Sequence, residues 1–277
     1  MKKLVAMIAS HNRGDLTHRT LMSLSAQVPQ GMELFAVLVD CGSTDGTADR
    51  CQALGDWVKV VHQSADCYWA EAMSKAEQTA EEMNADFLLW VNDDVDFDAE
   101  AVPRLFDVYS SLADKAASVV VGSMQDRRGG VSYGGIAFGS RISKWKPITP
   151  TTTPITADAA NGNFLLCTSA FARRVGGIDG AFGHSFADFD WTLRARKVGG
   201  RIVVAPGFFG VCDRNSLTGT YRDSGLKARE QWRRILSPKG LPPAANARFL
   251  SRHGGKLWPL IWAKPYLQIL TRMIAGK

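Results

Sequence analysis

The 277-residue sequence has little of what several protein classes require. Its five cysteines form no C-x-x-C pair, so they give no basis for a disulfide framework or a zinc knuckle and instead predict a reducing, cytoplasmic setting. No apolar run approaches the roughly 18 residues of a membrane span. The nearest, 257–263, is short and lies between Lys256 and Lys264. At 45% hydrophobic and 22% charged residues, the composition is typical of a globular protein with one large or two small domains.

The first ten residues, MKKLVAMIAS, begin as signal peptides do. Their apolar stretch ends at His11-Asn12-Arg13, after too few residues for a secretory core. We therefore predict a first β-strand here and a chain that does not cross a bilayer.

Acidic residues are scarce near the C-terminus. Residues 222–277 hold 12 Lys/Arg and 2 Asp/Glu, a local charge of +10, whereas residues 1–221 hold 21 basic and 25 acidic residues, a charge of −4. The net charge of +6 is therefore a property of the C-terminal segment, and a nearly neutral body precedes it.

Short apolar runs alternate with helix-like segments in the first half of the chain. The pattern predicts strands at 4–9, 34–39, 58–62 and 87–91, with helices at 16–26, after a capping Ser43, and at 70–84. This alternation indicates an α/β fold, a mostly parallel sheet with helices on both faces. Ligands of such sheets bind beyond the carboxyl ends of the strands.

The second half follows a less regular pattern. Strands are predicted at 118–122, 164–167 and 201–205, with a helix at 188–198. The Gly-rich segment 126–140 is expected to form a hairpin or bulged pair, and the Pro/Thr-rich segment 146–158 an extended, mobile loop that is either a lid or an exposed connection.

An acidic sequence, Asn92-Asp93-Asp94, directly follows the apolar run FLLWV. Neighbouring carboxylates at the end of a buried strand repel each other, and a hard divalent cation resolves that conflict with help from phosphates and water. In the alternative, Asp93 or Asp94 caps the helix expected near Asp98. An acidic pair alone would equally suit a phosphohydrolase.

Several segments together resemble the family 2 glycosyltransferases with the GT-A fold. The resemblance covers about residues 1–215 and includes features of the bacterial rhamnosyltransferase-like enzymes that assemble surface polysaccharides. The matching segments are VAMIASHNRGDLTHRTLMSLSAQ, VLVDCGSTDGTAD, WAEAM, FLLWVNDDVDF, ANGNFLLCTSAFARRVGGID and SFADFDWTLRARKVGG.

The resemblance implies a nucleotide-diphosphate sugar donor and a divalent cation, Mg²⁺ or Mn²⁺. It places Ser10 and Arg13 at the nucleotide and Asp40 at the base or ribose. Asp94 is the expected direct metal ligand, where the cation would neutralise charge on the departing diphosphate. The donor-binding candidates are Ser10, Arg13, Asp40, Trp69, Asn92 and Asp93.

A second acidic site opens the segment predicted as helix 188–198. Family members usually have Glu-Asp-x-Asp here, and the resemblance implies that Asp188 is the base that deprotonates the acceptor hydroxyl. Ala187 replaces the Glu, which affects acceptor contacts rather than the base. In the alternative, Ser185 and Asp188 form a capping box. Asp190 is expected to play a structural or acceptor-orienting role.

Other candidates have equally simple structural explanations. Trp69 would stack on the base or sugar, or be a core tryptophan. His184 would contact the acceptor, or be a polar surface group. Cys212-Asp213 stands where related enzymes often place a metal-binding His, and because cysteine is a poor Mg²⁺ ligand we expect water or Asp213 to substitute.

The basic segment 222–277 also carries Trp232, Trp258, Trp262 and Tyr266. Cations interleaved with aromatics predict contact with an anionic membrane surface, near an acceptor carried on a lipid diphosphate. The alternative is ordinary helices with a solvated basic face. No nucleic-acid-binding module accompanies the segment. Its prolines are expected to break it into short pieces.

We therefore predict a transferase domain at 1–221, with a nucleotide-sugar half at 1–122 and an acceptor half at 123–221, and a helical extension at 222–277. The predicted activity is metal-dependent, inverting glycosyl transfer by a cytoplasmic, peripherally membrane-bound enzyme. The alternatives are a sugar nucleotidyltransferase, although SHNRGD has only one glycine for a phosphate loop, and a non-catalytic polysaccharide- or membrane-binding scaffold.

Overall fold

The computed structural model describes residues 1–139, 145–214 and 216–275. Strands and helices alternate along the first 92 residues as predicted. The elements are β1 (Lys2–Ser10), α1 (Gly14–Ser25), β2 (Met32–Cys41), α2 (Thr47–Gln52), β3 (Val58–Gln63), α3 (Trp69–Glu82) and β4 (Phe87–Asn92). The prediction that Ser43 caps α2 is wrong, because Asp45 Oδ1 accepts the hydrogen bond of the Thr47 amide, at 3.0 Å.

The rest of the described chain adds nine strands and six α-helices. The elements are β5 (Asp96–Phe97), α4 (Ala101–Ser111), β6 (Ser118–Gln125), β7 (Val131–Tyr133), β8 (Gly135–Phe138), β9 (Trp145–Pro147), β10 (Ile155–Ala157), β11 (Ala159–Ala160), β12 (Phe164–Thr168), α5 (Ser169–Val175), α6 (Ala187–Lys197), β13 (Arg201–Val211), α7 (Ala228–Leu236), α8 (Pro243–His253) and α9 (Trp258–Ile274).

Three expectations for this half need correction. The Gly-rich segment, whose last residue lies outside the described residues, forms the expected bulged pair, but with β6 outside the segment: β7 pairs antiparallel with β6 across a register shift. Its other strand, β8, pairs with β9 and β11 in a second, three-stranded sheet. The Pro/Thr-rich segment contains β10, which pairs with β13. Finally, Pro265 does not end α9, which is 17 residues long and contains this proline in its interior.

The main sheet has the strand order β10-β13-β6-β12-β4-β1-β2-β3, with β5 attached to β13 and β7 to β6. Strands β1 to β4 are mutually parallel, and β12 runs antiparallel between β4 and β6. The mostly parallel α/β architecture is therefore confirmed.

Alternate residues of β1 pack on opposite faces of the sheet, as the two-residue period of a strand requires. Val5 and Met7 belong to the core cluster that includes Met73 of α3. Leu4 and Ile8 belong to the cluster on the other face, which contains side chains of α1 and α4. Both faces are thus covered by helices, which explains why the strands are almost continuously apolar.

The C-terminal helices form the expected helical extension and pack on this core. Phe249 and Leu250 of α8 belong to the same core cluster as Val5. Ile235 of α7 and Tyr266 and Ile269 of α9 form a smaller cluster. Within the described part of the chain, no helix combines the length and apolar character needed to cross a membrane.

A buried carboxyl group links α3 to the turn that precedes α6. Glu77 Oε2 accepts a hydrogen bond from the Ile178 amide at 2.6 Å. Its Oε1 is buried and has no partner among the described residues. Burial raises the pKa of Glu77 to about 7.

This shift predicts a stability that falls as the pH rises. An unfolded glutamate has a pKa of about 4.3, so between about pH 4.5 and pH 7 the folded state retains a proton that the unfolded state has lost. The free energy of unfolding should therefore decrease by about 3 kcal/mol across this range because of Glu77. In urea denaturation at pH 5 and pH 7.5, Glu77→Gln should lose much of this decrease, whereas the exposed Glu33→Gln should keep it. An identical pH dependence in both variants would contradict the prediction.

Candidate active site

Parallel register brings three polar strand ends to one edge of the main sheet. Ser10 at the end of β1 lies beside Asp40 of β2, and Ala9 lies beside Asn92 of β4. The side chains that follow these strands therefore converge where α/β sheets bind their ligands.

Arg13 lies between the two carboxylates that follow β4. Its Nη1 donates to Asp93 Oδ1 at 3.0 Å and to Asp94 Oδ2 at 2.8 Å. Burial raises the pKa of Asp93, and the positive charge of Arg13 opposes that rise. Thr20 Oγ1 donates to the carbonyl oxygens of Asp93 and Val95, both at 3.2 Å, and so fixes the turn after β4.

The alternative role of this pair as a helix cap is wrong. Helix α4 begins at Ala101, after Glu100 in the left-handed conformation, and has no side-chain cap. The helix expected to start near Asp98 therefore starts three residues later, at Ala101, and the Asp98 side chain does not cap it.

The acidic pair suits a divalent cation whose remaining ligands come from elsewhere. The described residues contain no cluster of three or more His, Cys, Asp or Glu side chains arranged to hold a metal. Two adjacent carboxylates that already attract a guanidinium nevertheless fit Mg²⁺ or Mn²⁺, because Mg²⁺ commonly takes only one or two protein carboxylates and completes its shell with phosphates and water.

Cys212 lies beside this pair as a neutral thiol. Its Sγ donates to Asp94 Oδ1 at 3.4 Å and accepts from Asn163 Nδ2 at 3.5 Å. Burial raises its pKa to about 12, and a protonated thiol is a poor metal ligand. Asp213 points to a different partner, since its Oδ1 accepts from the Arg127 amide at 3.0 Å and its Oδ2 lies 3.3 Å from Arg127 Nε.

Asp40 has an unpaired acceptor atom at the same edge of the sheet. The residue is buried, and its Oδ2 accepts from the Ser43 amide at 3.2 Å. Its Oδ1 is buried with no hydrogen-bond partner among the described residues. Such an atom is costly unless a ligand donates to it. The neighbouring Ser10 hydroxyl is already paired with Thr17 Oγ1 at 2.8 Å.

Trp69 and His184 occupy different environments. Trp69, the first residue of α3, is half-buried and packs on Trp90 with ring centroids 6.1 Å apart. A Cβ atom at Gly162 would lie 2.8 Å from the Trp69 ring, so only glycine fits there. His184 is exposed and lies edge-on to Tyr68, with centroids 6.3 Å apart.

Asp188 stands in the first turn of α6. Its Oδ1 accepts from the Phe189 amide at 2.8 Å and its Oδ2 from the Gly162 amide at 3.2 Å. Burial raises its pKa, and these hydrogen bonds oppose the rise. The capping box with Ser185 does not form, because α6 begins after Phe186 without a side-chain cap.

Asp190 is the centre of a buried charge network between α6 and the C-terminal extension. Its Oδ2 accepts from Arg194 Nε at 2.7 Å, and its Oδ1 lies 3.0 Å from Arg252 Nη1 and 2.9 Å from His253 Nε2. These contacts hold the pKa of Asp190 well below its usual range, against the effect of its own burial. Arg194 also donates to the carbonyl oxygens of Val175 and Gly177, at 2.7 and 2.6 Å, so its guanidinium ties α6 to the end of α5 and the segment after it.

The backbone before Asp188 is held by the same extension. Phe186 has a φ of 75°, in the left-handed region that disfavours side chains with a Cβ. Its ring stacks on Phe249 of α8, with centroids 4.8 Å apart and planes 18° apart. Helix α8 therefore supports the turn that presents Asp188.

Sequence reasoning missed five residues that shape the site. Contacts between Arg252 or His253 and Asp190 join positions far apart in the chain, and nothing in their local pattern distinguishes them from solvated cations. Gly162 lies in a segment that carried the family resemblance, which was the available signal. The missed residues are Thr20, Gly162, Asn163, Arg252 and His253.

A model of the family described as "Glycosyl transferase family 2" matches residues 6–175, more than half of the chain. The chain belongs to glycosyl transferase family 2. Among curated protein sequences, none gives a significant match.

Solved structures share the fold of this family 2 chain. GalNAc-T7, crystallised with UDP, GalNAc and Mn²⁺, is similar with a TM-score of 0.59 and 16% identity over 98% of this chain. TarS of S. aureus is similar with a TM-score of 0.56 and 19% identity over 92% of this chain. A structure of TarS residues 1–349 has a TM-score of 0.55 and 18% identity over 93% of this chain. This chain spans 57% of the GalNAc-T7 chain, 44% of the TarS chain and 73% of the shorter TarS chain. These likenesses establish the GT-A fold.

The Asp190 network predicts a stability loss on removal of its outer partner. Arg252→Met should lower the free energy of unfolding by about 1–3 kcal/mol, because it removes a charged hydrogen bond from a buried carboxylate that keeps Arg194 and His253. Urea denaturation measures the change. The matched variant Arg233→Met, whose ion pair with Glu230 is exposed on the arginine side, should lose less than about 1 kcal/mol. Equal losses would show that Arg252 is not part of a buried network.

Proposed function

We propose that the chain is a metal-dependent, inverting glycosyltransferase that moves a sugar from a nucleotide-diphosphate donor to a hydroxyl of a saccharide or lipid-linked acceptor. The observation that carries this proposal is the proximity of the two acidic sites. The Gly162 amide donates to Asp188, while the adjacent Asn163 accepts from the Asn92 amide at 3.1 Å and donates to Cys212 beside Asp94. One dipeptide thus links both sites.

The donor side supplies the contacts that a nucleotide diphosphate needs. The unpaired Oδ1 of Asp40 would accept a hydrogen bond from the base or ribose. We propose that the donor also contacts Ser10, Asn92 and the half-buried Trp69. Arg13 supplies a guanidinium that can turn from the carboxylates to the phosphates, since it binds either kind of oxygen.

The acidic pair would hold the divalent cation that the resemblance implies. Asp94 is the proposed direct ligand and Asp93 its neighbour. When bound, Mg²⁺ or Mn²⁺ supplies Lewis-acid stabilisation of the negative charge on the departing diphosphate. The buried, neutral Cys212 donates a hydrogen bond to Asp94 and orients it.

Asp188 is the proposed general base. Its Oδ2 is held by the Gly162 amide, and its raised pKa makes it a stronger proton acceptor than an exposed aspartate. As the acceptor oxygen attacks the anomeric carbon and the bond to the diphosphate breaks, Asp188 takes the hydroxyl proton. Attack on the face opposite the leaving group inverts the configuration. The exposed His184 is proposed to contact the acceptor. The carboxylate of Asp190 is bound by Arg252 and His253 of α8 and is proposed to orient α6, the helix that carries Asp188.

Residues 1–221 are the proposed transferase domain, with donor and acceptor halves at 1–122 and 123–221, and residues 222–277 an extension that packs on it. We further propose a cytoplasmic enzyme, peripheral to an anionic membrane, that acts in bacterial polysaccharide assembly as rhamnosyltransferase-like enzymes do. Release of nucleotide diphosphate from a supplied sugar donor would exclude both the nucleotidyltransferase and the scaffold hypotheses.

Asp188→Asn tests the base. With a panel of UDP-, GDP- and dTDP-sugars and Mn²⁺, this variant should transfer sugar at least about 100-fold more slowly than wild type, because a positioned general base contributes about 10²–10⁴ in rate. Its affinity for the nucleotide should not change. The exposed Asp107→Asn is the matched control. Transfer by Asp188→Asn at a near wild-type rate would refute the assignment.

Asp94→Ala tests the metal ligand. It should abolish metal-dependent turnover and weaken Mn²⁺ binding in the presence of UDP, as measured by electron paramagnetic resonance. Asp213→Ala removes a carboxylate that binds Arg127 instead, so it should retain both properties. If Asp94→Ala keeps its Mn²⁺ affinity, the cation binds elsewhere.

A further inference from the structure

The outer face of α9, together with the residue that precedes it, is apolar and uncovered in the described structure. Six large aliphatic side chains at helical spacing are each at least 39% exposed. They form the stripe Leu257, Leu260, Ile261, Leu267, Leu270 and Ile274. Contiguous exposed apolar surface of this kind marks an interaction site.

The opposite face of α9 is firmly attached to the protein. Tyr266 and Ile269 are buried against Ile235 of α7. Trp262 Nε1 donates to the Pro243 carbonyl oxygen at 3.0 Å, and Tyr266 Oη donates to the Leu241 carbonyl oxygen at 2.8 Å. The stripe is therefore a fixed surface, about 25 Å long at the rise of an α-helix.

The charged residues on α9 and directly before it in the chain are of one sign. Residues 231–277 contain nine Lys/Arg and no Asp or Glu. Lys256 precedes the stripe and Lys264 lies within it, and both are exposed. A second copy of the chain docking face to face would bring like charges together, whereas an anionic lipid surface offers the complementary charge and an apolar interior.

We propose that α9 lies in the plane of an anionic membrane, with the stripe inserted at the boundary between headgroups and acyl chains and with Lys256 and Lys264 among the headgroups. The biological role of this membrane contact rests on the proposed function, since the contact would hold the transferase beside a lipid-linked acceptor. Membrane binding itself requires neither donor nor metal, so it can be tested without either.

The test is co-sedimentation of the full chain with vesicles of equimolar phosphatidylglycerol and phosphatidylcholine, and with vesicles of phosphatidylcholine alone. Wild type should bind the mixed vesicles. The variant Leu260→Ser/Leu267→Ser/Ile274→Ser should lose at least about tenfold in partitioning, since each side chain no longer transfers apolar area into lipid. Lys256→Gln/Lys264→Gln should lose about fivefold per charge on mixed vesicles only. The control Met22→Ser/Val28→Ser/Leu217→Ser changes exposed apolar residues elsewhere and should bind as wild type does.

Three results would overturn the proposal. These are undiminished binding by the stripe variant, equal binding to both kinds of vesicle, and a wild-type dimer in light scattering that the stripe variant converts to monomer without any vesicle binding by wild type. The last would identify a second copy as the occupant. Circular dichroism verifies that each variant is folded, and because every substituted side chain is exposed the melting temperatures should agree. Failure of wild type to bind vesicles would likewise overturn the membrane proposal, and with normal sugar transfer it would leave the proposed transferase activity intact. Vesicle binding without sugar transfer would leave the membrane site intact.

Discussion

The parallel pairing of β1 with β2 and β4 brings Ser10, Asp40 and Asn92 to one edge of the sheet. Because Ser10 pairs with Asp40 and Ala9 with Asn92, three separate loops leave the sheet at one edge. A shift of one residue in either pairing would exchange the side chains that pack on the two covered faces of the sheet, so the core that fixes the register also fixes the site. The packing of both sheet faces therefore determines the strand register, and the register determines where the carboxylates lie.

A second dependence runs from the C-terminal extension to the helix that carries Asp188. Composition alone separates a nearly neutral body from a basic segment, but one of those basic residues, Arg252, forms an ion pair with the buried Asp190, and the neighbouring His253 hydrogen-bonds to the same carboxylate. Phe249 of the same helix stacks on Phe186. Part of the positive charge of the segment is thus engaged inside the protein and is not available at the surface.

Sequence reasoning succeeded where local chemistry dictates structure. Buried parallel strands are continuous apolar runs, so β1 to β4 were predictable. It failed where packing overrides local preference. Pro265 removes a backbone hydrogen bond, yet α9 persists because Tyr266 and Ile269 pack on α7. No periodicity could show that Arg13 bridges Asp93 and Asp94 across 80 positions.

The position of Arg13 gives the acidic pair an internal counter-ion. The carboxylates can fold into a half-buried turn without any ion from solution, since the guanidinium already screens their repulsion. Any cation that enters must exchange with a tethered competitor whose local concentration is fixed by the fold. A bare ion gains little from that exchange. In the proposed donor site, an ion that arrives with a diphosphate would give the displaced guanidinium new oxygens to bind, so the pair would favour a cation and its anion together.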